Sequence, residues 1–143
     1  MGTNGNTAQV QKEISDALGR VPEWMKQLPP TTLAPFWRMF ADFYLADTAI
    51  PTKYKELIGV AVSGATRCRY CALFHTEGAR LQGATDAEIA EASTMAGFTM
   101  MASTFLNGQQ VEYAQFKKET LEIIAYVRQA QGKQGRREQH ARA

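Results

Sequence analysis

Apolar residues along this chain recur at spacings of three and four, the period of an α-helix, and stretches that alternate apolar and polar residues are scarce. The first stretch predicts a helix from Thr7 to about Leu18, with Val10 and Ile14 on its apolar stripe and Gly19 as a stop. Further helices are predicted over residues 35–46, 52–62, 67–81, 85–106 and 111–129, with a single turn at 22–27. About six helices joined by short links predict an all-α bundle.

Several of these helices carry sequence signals at their ends. Residues 63–66 predict a loop, and Thr66 at its end can cap the helix that follows. Gly83 is the expected stop of that helix. Thr85 and Glu88 have the spacing of a capping box, which predicts the start of the next helix.

The stretch 35–46 has a wide aromatic face. Its members are Phe36, Trp37, Phe40, Phe43 and Tyr44. Helices bury such faces, so packing in the core or between subunits is favoured over the lining of a pocket.

The composition fits one soluble domain without a nucleic-acid partner. The chain has 143 residues, 45% of them hydrophobic, and its 16 basic and 14 acidic residues leave a net charge of only +2. The excess of positive charge is concentrated after Gly132. We therefore predict a single domain over residues 1–131 and a basic, disordered tail over residues 132–143.

Features of the sequence also predict a compartment. No run of 18 apolar residues is present, so no transmembrane helix is expected. The first residues contain no apolar core of a secretory signal. Two cysteines in a chain of this kind fit the reducing cytoplasm, where a close pair is more often catalytic or metal-binding than structural.

Three reactive side chains fall on one face of the helix predicted over residues 67–81. Cys68 and Cys71 are three residues apart, and His75 follows four residues later. If Thr66 is the cap, both cysteines lie in the first turns, where the positive end of the helix favours thiolate over thiol.

Glu56 can be placed near His75 by counting residues. If its helix and the cysteine helix form an antiparallel hairpin around residues 63–66, Glu56 lies about eight residues, or roughly 12 Å of rise, before the turn. The residue at the same level on the return helix is close to His75. A Glu–His pair would orient the imidazole and raise its basicity, so that the ring could accept a thiol proton.

The spacing of the cysteines leaves several readings open. A redox dithiol is favoured, because residues one turn apart can form a disulfide. A structural disulfide closing so short a loop would give only about 2 kcal/mol. Buried inert thiols and a metal site remain alternatives, although only three ligands are at hand and His140 lies in the tail. Haem attachment would require a histidine directly after the second cysteine.

The spacing Glu56, eleven residues, Cys68-x-x-Cys71, three residues, His75 resembles the signature of the alkylhydroperoxidase D-like and carboxymuconolactone decarboxylase superfamily. Residues 78–89 also resemble the continuation of that family into its next helix. The resemblance implies an all-α, alkylhydroperoxidase D-like fold and assembly into homotrimers or hexamers.

The resemblance also implies roles for the site residues. Cys71 would attack a hydroperoxide and become a sulfenic acid, Cys68 would resolve it as a disulfide, His75 would relay protons, and Glu56 would be its partner. A dithiol donor such as a lipoyl group or a thioredoxin-like protein would then reduce the disulfide. No cofactor and no metal are implied. The decarboxylase branch lacks the cysteine pair, which argues against lactone decarboxylation here.

The chain departs from the pattern at Tyr70. Some members of the family have a second histidine between the cysteines, where this chain has a phenol that can donate a hydrogen bond but cannot act as a base at neutral pH. Tyr70 is therefore a possible hydrogen-bond donor of the site. It also motivates an alternative, a dithiol–disulfide exchange protein or redox sensor with little peroxidase turnover. A third hypothesis, from another class, is a non-catalytic oligomeric binding protein with inert thiols or bound zinc.

Overall fold

The computed structural model describes the backbone of residues 7–141 and the side chains of residues 7–133. Seven α-helices and one π-helix form this part of the chain, and no strand occurs within it. The elements are α1 (Thr7–Leu18), α2 (Glu23–Lys26), α3 (Pro30–Met39), the π-helix (Phe40–Tyr44), α4 (Thr52–Thr66), α5 (Arg69–Leu81), α6 (Asp86–Gly108) and α7 (Tyr113–Ala141). The all-α fold class predicted from the sequence is confirmed.

The chain divides into two compact units, one ending at Gly97 and the other beginning at Phe98, within α6. In the second unit, α7 is longer than the predicted helix and continues to Ala141. Its backbone is thus helical through residues 132–141, where the sequence predicts a disordered tail. The side chains of that segment lie outside the described ones, and the assignment of one domain plus a tail stays a prediction.

The core of the first unit joins α1, α2 and α3. Val10 and Ile14 lie one turn apart on the buried stripe of α1, as predicted. They pack in one cluster with Met25, Leu33 and Trp37. The aromatic stretch is divided, because Trp37 is 5% exposed whereas Phe43 is 58% exposed.

The helix that carries the aromatic residues differs from its prediction in two ways. α3 begins at Pro30 instead of Pro35, which agrees with the preference of proline for the first helical position. After Met39 the backbone widens into a π-helix, in which the Leu45 N–H donates to the Phe40 carbonyl over 2.9 Å. This short element ends at Tyr44 and determines where the tyrosine ring lies.

α4 begins at Thr52, as predicted, and its first turn is anchored to the preceding loop. The carboxylate of Asp47 accepts hydrogen bonds from the Thr52 backbone N–H at 2.7 Å and from its hydroxyl at 2.8 Å. One turn further along α4, the buried Lys55 ammonium donates to the carbonyls of Phe43 and Ala46. Lys55 therefore ties the end of the π-helix to α4.

α4 and α5 form the antiparallel hairpin on which the placement of Glu56 depends. The predicted loop over residues 63–66 is wrong, because α4 continues through Thr66 and ends at Arg67, whose φ of 56° is left-handed. Thr66 is not the cap of α5, since its hydroxyl donates to the Val62 carbonyl inside α4. Cys68 occupies the N-cap position instead.

The start of α6 is the predicted capping box. The Thr85 N–H donates to the Glu88 carboxylate over 2.7 Å, and the Glu88 N–H donates to the Thr85 hydroxyl over 3.2 Å. Glu88 also forms an ion pair with Lys53 of α4 at 2.7 Å. Gly83, with φ at +78°, ends the preceding helix as predicted.

In the second unit, large apolar side chains lie at the surface of this single chain. They include Phe98, Met101, Phe105, Ile123 and Tyr126. None of the helices within the described ranges combines the length and the apolar character needed to cross a membrane.

Candidate active site

Cys68 and Cys71 lie at the N-terminus of α5 and are joined by a disulfide, with their Cα atoms 5.3 Å apart. Cys68 is the N-cap residue, and its Sγ accepts a hydrogen bond from the Cys71 backbone N–H at 3.2 Å. The left-handed Arg67 ends α4 and allows the chain to turn directly into α5. The pair is thus a disulfide in the structure, and neither sulfur is an inert buried thiol.

The two sulfurs differ in their surroundings. Cys68 is half-buried, whereas Cys71 is exposed in the first turn of α5. Unpaired backbone N–H groups and the positive end of the helix dipole favour negative charge at this position. In the reduced protein, this end of α5 would therefore stabilise thiolate, and the exposed Cys71 would be open to reactants.

Glu56 and His75 meet across the α4–α5 hairpin, as the residue count predicts. Oε2 of Glu56 lies 2.9 Å from Nδ1 of His75. Glu56 is only 3% exposed, and the imidazole is partly buried. A carboxylate so far from water needs hydrogen-bond donors, and the imidazole N–H supplies one.

Tyr44 completes this cluster, although the sequence does not single it out as a site residue. Its hydroxyl lies 3.1 Å from His75 Nδ1, and its ring meets the imidazole edge to face. Burial raises the pKa of Tyr44 above its usual value, and the nearby negative charge of Glu56 raises it further. The phenol therefore stays protonated and is a permanent donor.

These contacts determine where the imidazole proton lies. A nitrogen 2.9 Å from a carboxylate oxygen carries the proton, so His75 Nδ1 is the N–H. The Tyr44 hydroxyl lies 3.1 Å from the same nitrogen and therefore cannot donate to it, so its own proton is left for another acceptor. In the neutral ring, Nε2 keeps its lone pair, which is the state required to accept a proton from a thiol. His75 follows Cys71 by one helical turn.

Two glycines make the close approach of the hairpin possible. A Cβ on Gly59 of α4 would lie 2.3 Å from His75 Nδ1, and a Cβ on Gly78 of α5 would lie 2.6 Å from the Glu56 carboxylate. Each polar side chain therefore lies against the bare backbone of the opposite helix. The sequence prediction missed a signal for this close approach: a glycine stands three residues after Glu56, and another stands three residues after His75.

Tyr70, predicted as a possible hydrogen-bond donor of the site, is not brought into the cluster. It is 74% exposed, and its hydroxyl accepts a hydrogen bond from the Arg69 guanidinium at 3.0 Å. Arg69 also lies over the Tyr70 ring, 4.9 Å from its centre. Among the described residues, no group of three or more His, Cys, Asp or Glu side chains could hold a metal ion.

Comparison with known proteins gives one family. The model of the "Carboxymuconolactone decarboxylase family" matches residues 30–105, which contain the π-helix, the α4–α5 hairpin and the first part of α6. Among curated proteins, the chain is 47% identical over 47 residues to "Uncharacterized protein 4 in cox locus" of Paracoccus denitrificans. That alignment covers 33% of this chain and 42% of the relative, so the chain spans less than half of that protein's length.

Two solved structures are similar over most of the chain. The alkylhydroperoxidase AhpD core from Rhodospirillum rubrum has a TM-score of 0.66 and 27% sequence identity, covering 74% of this chain and 81% of its own. A protein from Methanobacterium thermoautotrophicum has a TM-score of 0.54 and 28% identity, covering 62% of this chain and 98% of its own. The fold of the described chain is therefore alkylhydroperoxidase D-like, as the sequence predicts.

Proposed function

Because this chain belongs to the carboxymuconolactone decarboxylase family, we propose that it is an enzyme of the thiol redox branch and reduces hydroperoxides with Cys68 and Cys71. One observation carries the proposal: a cysteine pair at a helix N-terminus stands one turn from a histidine that a buried carboxylate holds. The similar solved core from Rhodospirillum rubrum is an alkylhydroperoxidase by name, which supports the same reaction class.

In the first step, the Cys71 thiolate attacks the outer oxygen of the hydroperoxide. The O–O bond breaks, the leaving alkoxide takes a proton and departs as the alcohol, and Cys71 becomes a sulfenic acid. The exposure of Cys71 supports its role as the attacking residue. Its position one turn before His75 supports the imidazole as the base that removes the thiol proton and as the source of the proton for the alkoxide.

In the second step, the Cys68 thiolate attacks the sulfur of the sulfenic acid. The S–O bond breaks, hydroxide takes a proton and leaves as water, and the disulfide forms. The 5.3 Å between the two Cα atoms suits this bond. Two electrons and two protons from an external dithiol, such as a lipoyl group or a thioredoxin-like protein, would then restore both thiols.

Glu56 is proposed to act through His75. Its carboxylate accepts the Nδ1–H and so keeps Nε2 as the acceptor. When the ring becomes an imidazolium during the reaction, the nearby negative charge stabilises it. Glu56 is therefore a positioning and charge-balancing residue, whereas His75 exchanges protons with the reacting atoms.

Assembly into a homo-oligomer, a trimer or a hexamer, is part of the proposal. The exposed apolar side chains of α6 and α7 support it, because large uncovered apolar surfaces mark sites where another protein surface binds. The cytoplasm is the proposed compartment, since its reducing conditions return a cysteine pair to the thiol form. No nucleic-acid or membrane partner is proposed.

A single-turnover experiment tests the proposed reaction. Fully reduced protein is mixed with an equimolar amount of tert-butyl hydroperoxide, and peroxide loss and protein mass are followed together. Wild-type protein should consume the peroxide and lose two hydrogen atoms as the disulfide forms. Cys68→Ser should consume it and gain one oxygen atom, whereas Cys71→Ser should leave it unchanged. Full consumption by Cys71→Ser would refute the mechanism.

A dithiol–disulfide exchange protein or redox sensor is the second candidate. It is favoured by Tyr70, which stands between the cysteines, is not a base and points to solvent with Arg69. The site then has one basic group where some relatives have two. A reversible disulfide in a redox titration, together with negligible peroxide consumption by the wild-type protein, would favour this candidate over the peroxidase.

A further inference from the structure

Tyr44 is a titratable group in the centre of the site that the proposed mechanism does not use. Its hydroxyl lies 3.1 Å from His75 Nδ1, the nitrogen that Glu56 also contacts, at 2.9 Å. The ring also stacks at a tilt against Phe40 and Phe74, with centres 4.9 and 5.9 Å away. Packing on two sides and polar contacts at the tip hold this side chain in one orientation.

The backbone that carries Tyr44 is itself unusual. Tyr44 is the last residue of the π-helix, an element that is rare and is often found at functional sites. The buried Lys55 ammonium donates to the carbonyls of Phe43 and Ala46, which flank the tyrosine closely. Because Lys55 lies on α4, one residue before Glu56, the same helix holds both the carboxylate and the backbone of the phenol.

The placement of protons gives the phenol a specific task. A buried carboxylate with a single donor could also accept from a rotated imidazole. Because Nδ1 donates to Glu56, the neighbouring phenol cannot donate to that nitrogen, and its proton is available to the carboxylate. A second donor there would occupy other lone pairs of Glu56 and block this alternative. The Nδ1–H of His75 is then the remaining partner of the carboxylate, and the ring is held in one tautomer.

We propose that Tyr44 is a positioning residue of the redox site, which donates to Glu56 and thereby keeps His75 in the Nδ1–H tautomer with Nε2 open toward Cys71. The inference rests on the proposed function for its catalytic meaning. The hydrogen-bond arrangement itself is independent of any peroxide.

The test uses the full chain in reduced form. Tyr44→Phe removes the hydroxyl and keeps the ring, and Tyr54→Phe is the matched control, since Tyr54 is a half-exposed tyrosine on α4. Long-range ¹⁵N–¹H spectra report the tautomer of His75 while the ring is neutral. Only two histidines are present, so a His140→Gln variant assigns the signals.

Two reactivity measurements accompany the spectra. In a Cys68→Ser background the only thiol is Cys71, so its rate of alkylation by iodoacetamide reports activation without peroxide. We expect Tyr44→Phe to lower that rate about tenfold, as the loss of a hydrogen bond to a charged group predicts. Tyr54→Phe should leave it unchanged. Combined with Glu56→Gln, Tyr44→Phe should have little further effect, because the hydroxyl acts through the carboxylate.

Several outcomes decide the question. A lower Nδ1–H fraction and slower alkylation in Tyr44→Phe alone support the proposal. An unchanged tautomer and rate in that variant overturn it. A predominant Nε2–H tautomer in the wild-type protein also overturns it, and this result does not depend on whether the variant folds. If the wild-type protein fails to consume peroxide but Tyr44→Phe still changes the tautomer and the alkylation rate, the peroxidase proposal fails and the role of Tyr44 stands.

Discussion

Replacing Gly59 with alanine sets the gain in helix stability from an added Cβ against the loss of close packing with His75. Gly59 lies inside α4, where a Cβ normally stabilises a helix, yet it also faces the imidazole of His75. The added methyl group would lie 2.3 Å from Nδ1, whereas ordinary contact begins at 3.4 Å. Glu56 and Tyr44 also contact Nδ1, so a ring that moves to make room for the methyl group must give up these contacts.

Gly64 provides a matched reference in the same helix. A Cβ there meets nothing within 4 Å. Gly64→Ala should therefore stabilise the protein by about 0.5–1 kcal/mol, the usual gain from glycine to alanine in a helix. At Gly59 the same gain is opposed by about 1–3 kcal/mol of overpacking and about 1.5–3 kcal/mol for the lost hydrogen bond to a charged group. The free energy of unfolding of Gly59→Ala should therefore fall by about 1.5–5.5 kcal/mol.

The assay combines urea unfolding with thiol reactivity. The free energies of unfolding of the two variants should move in opposite directions relative to wild type. Alkylation of Cys71 in the Cys68→Ser background should slow about a hundredfold in Gly59→Ala, because a displacement near 1 Å at a catalytic group can cost that much. Gly64→Ala should keep the wild-type rate.

One result would refute the reasoning. If Gly59→Ala were as stable as Gly64→Ala and alkylated at the wild-type rate, the imidazole could not lie against Gly59. The close approach of α4 and α5 would then not be what holds His75. A loss of stability with an unchanged alkylation rate would separate the packing of the hairpin from the activation of the thiol.

Three further changes should have distinct effects. Glu56→Gln keeps the shape but removes the charge, so peroxide consumption should fall about tenfold or more while the fold persists, as stopped-flow and circular dichroism can report. Lys55→Met leaves two carbonyls without their donor and should destabilise the chain by about 2 kcal/mol in urea unfolding, with loss of the His75 tautomer preference if the π-helix moves Tyr44. The pKa of Glu88 is lowered to about 2, first by its contact with Lys53. Its stabilising contribution should therefore be present above the ordinary carboxyl pKa and be lost as pH falls toward 2, and Glu88→Gln should flatten this part of the pH–stability curve.

The contact between Glu56 and His75 could be predicted because it depends on helical rise and on one assumption, the antiparallel hairpin. The capping box at Thr85 and Glu88 could be predicted because both partners are close in sequence. Both predictions need only regular helix geometry or partners close in sequence. Both were correct even though the predicted loop between α4 and α5 was wrong.

The polar contact of Tyr44 could not be predicted from the sequence in the same way. Its position depends on a π-helix, which shifts every later residue around the helix axis and has no pattern of its own in the sequence. Its anchor, Lys55, is eleven residues further along and binds backbone carbonyls, which any sequence possesses. An aromatic residue in an aromatic stretch therefore predicts packing, and only the tertiary structure adds the polar contact.

The position of the turn explains why the hairpin forms a site. Arg67 is the centre of the turn, and Gly59 and His75 are each eight residues from it. Glu56 and Gly78 are each eleven residues from it, so they also lie at one level. Each level thus pairs a polar side chain with a glycine on the opposite helix, and the two levels are about one turn apart. A turn centred two residues earlier would place His75 opposite a residue with a side chain. The left-handed Arg67 therefore determines, through register alone, that the imidazole and the carboxylate can share one gap between the helices.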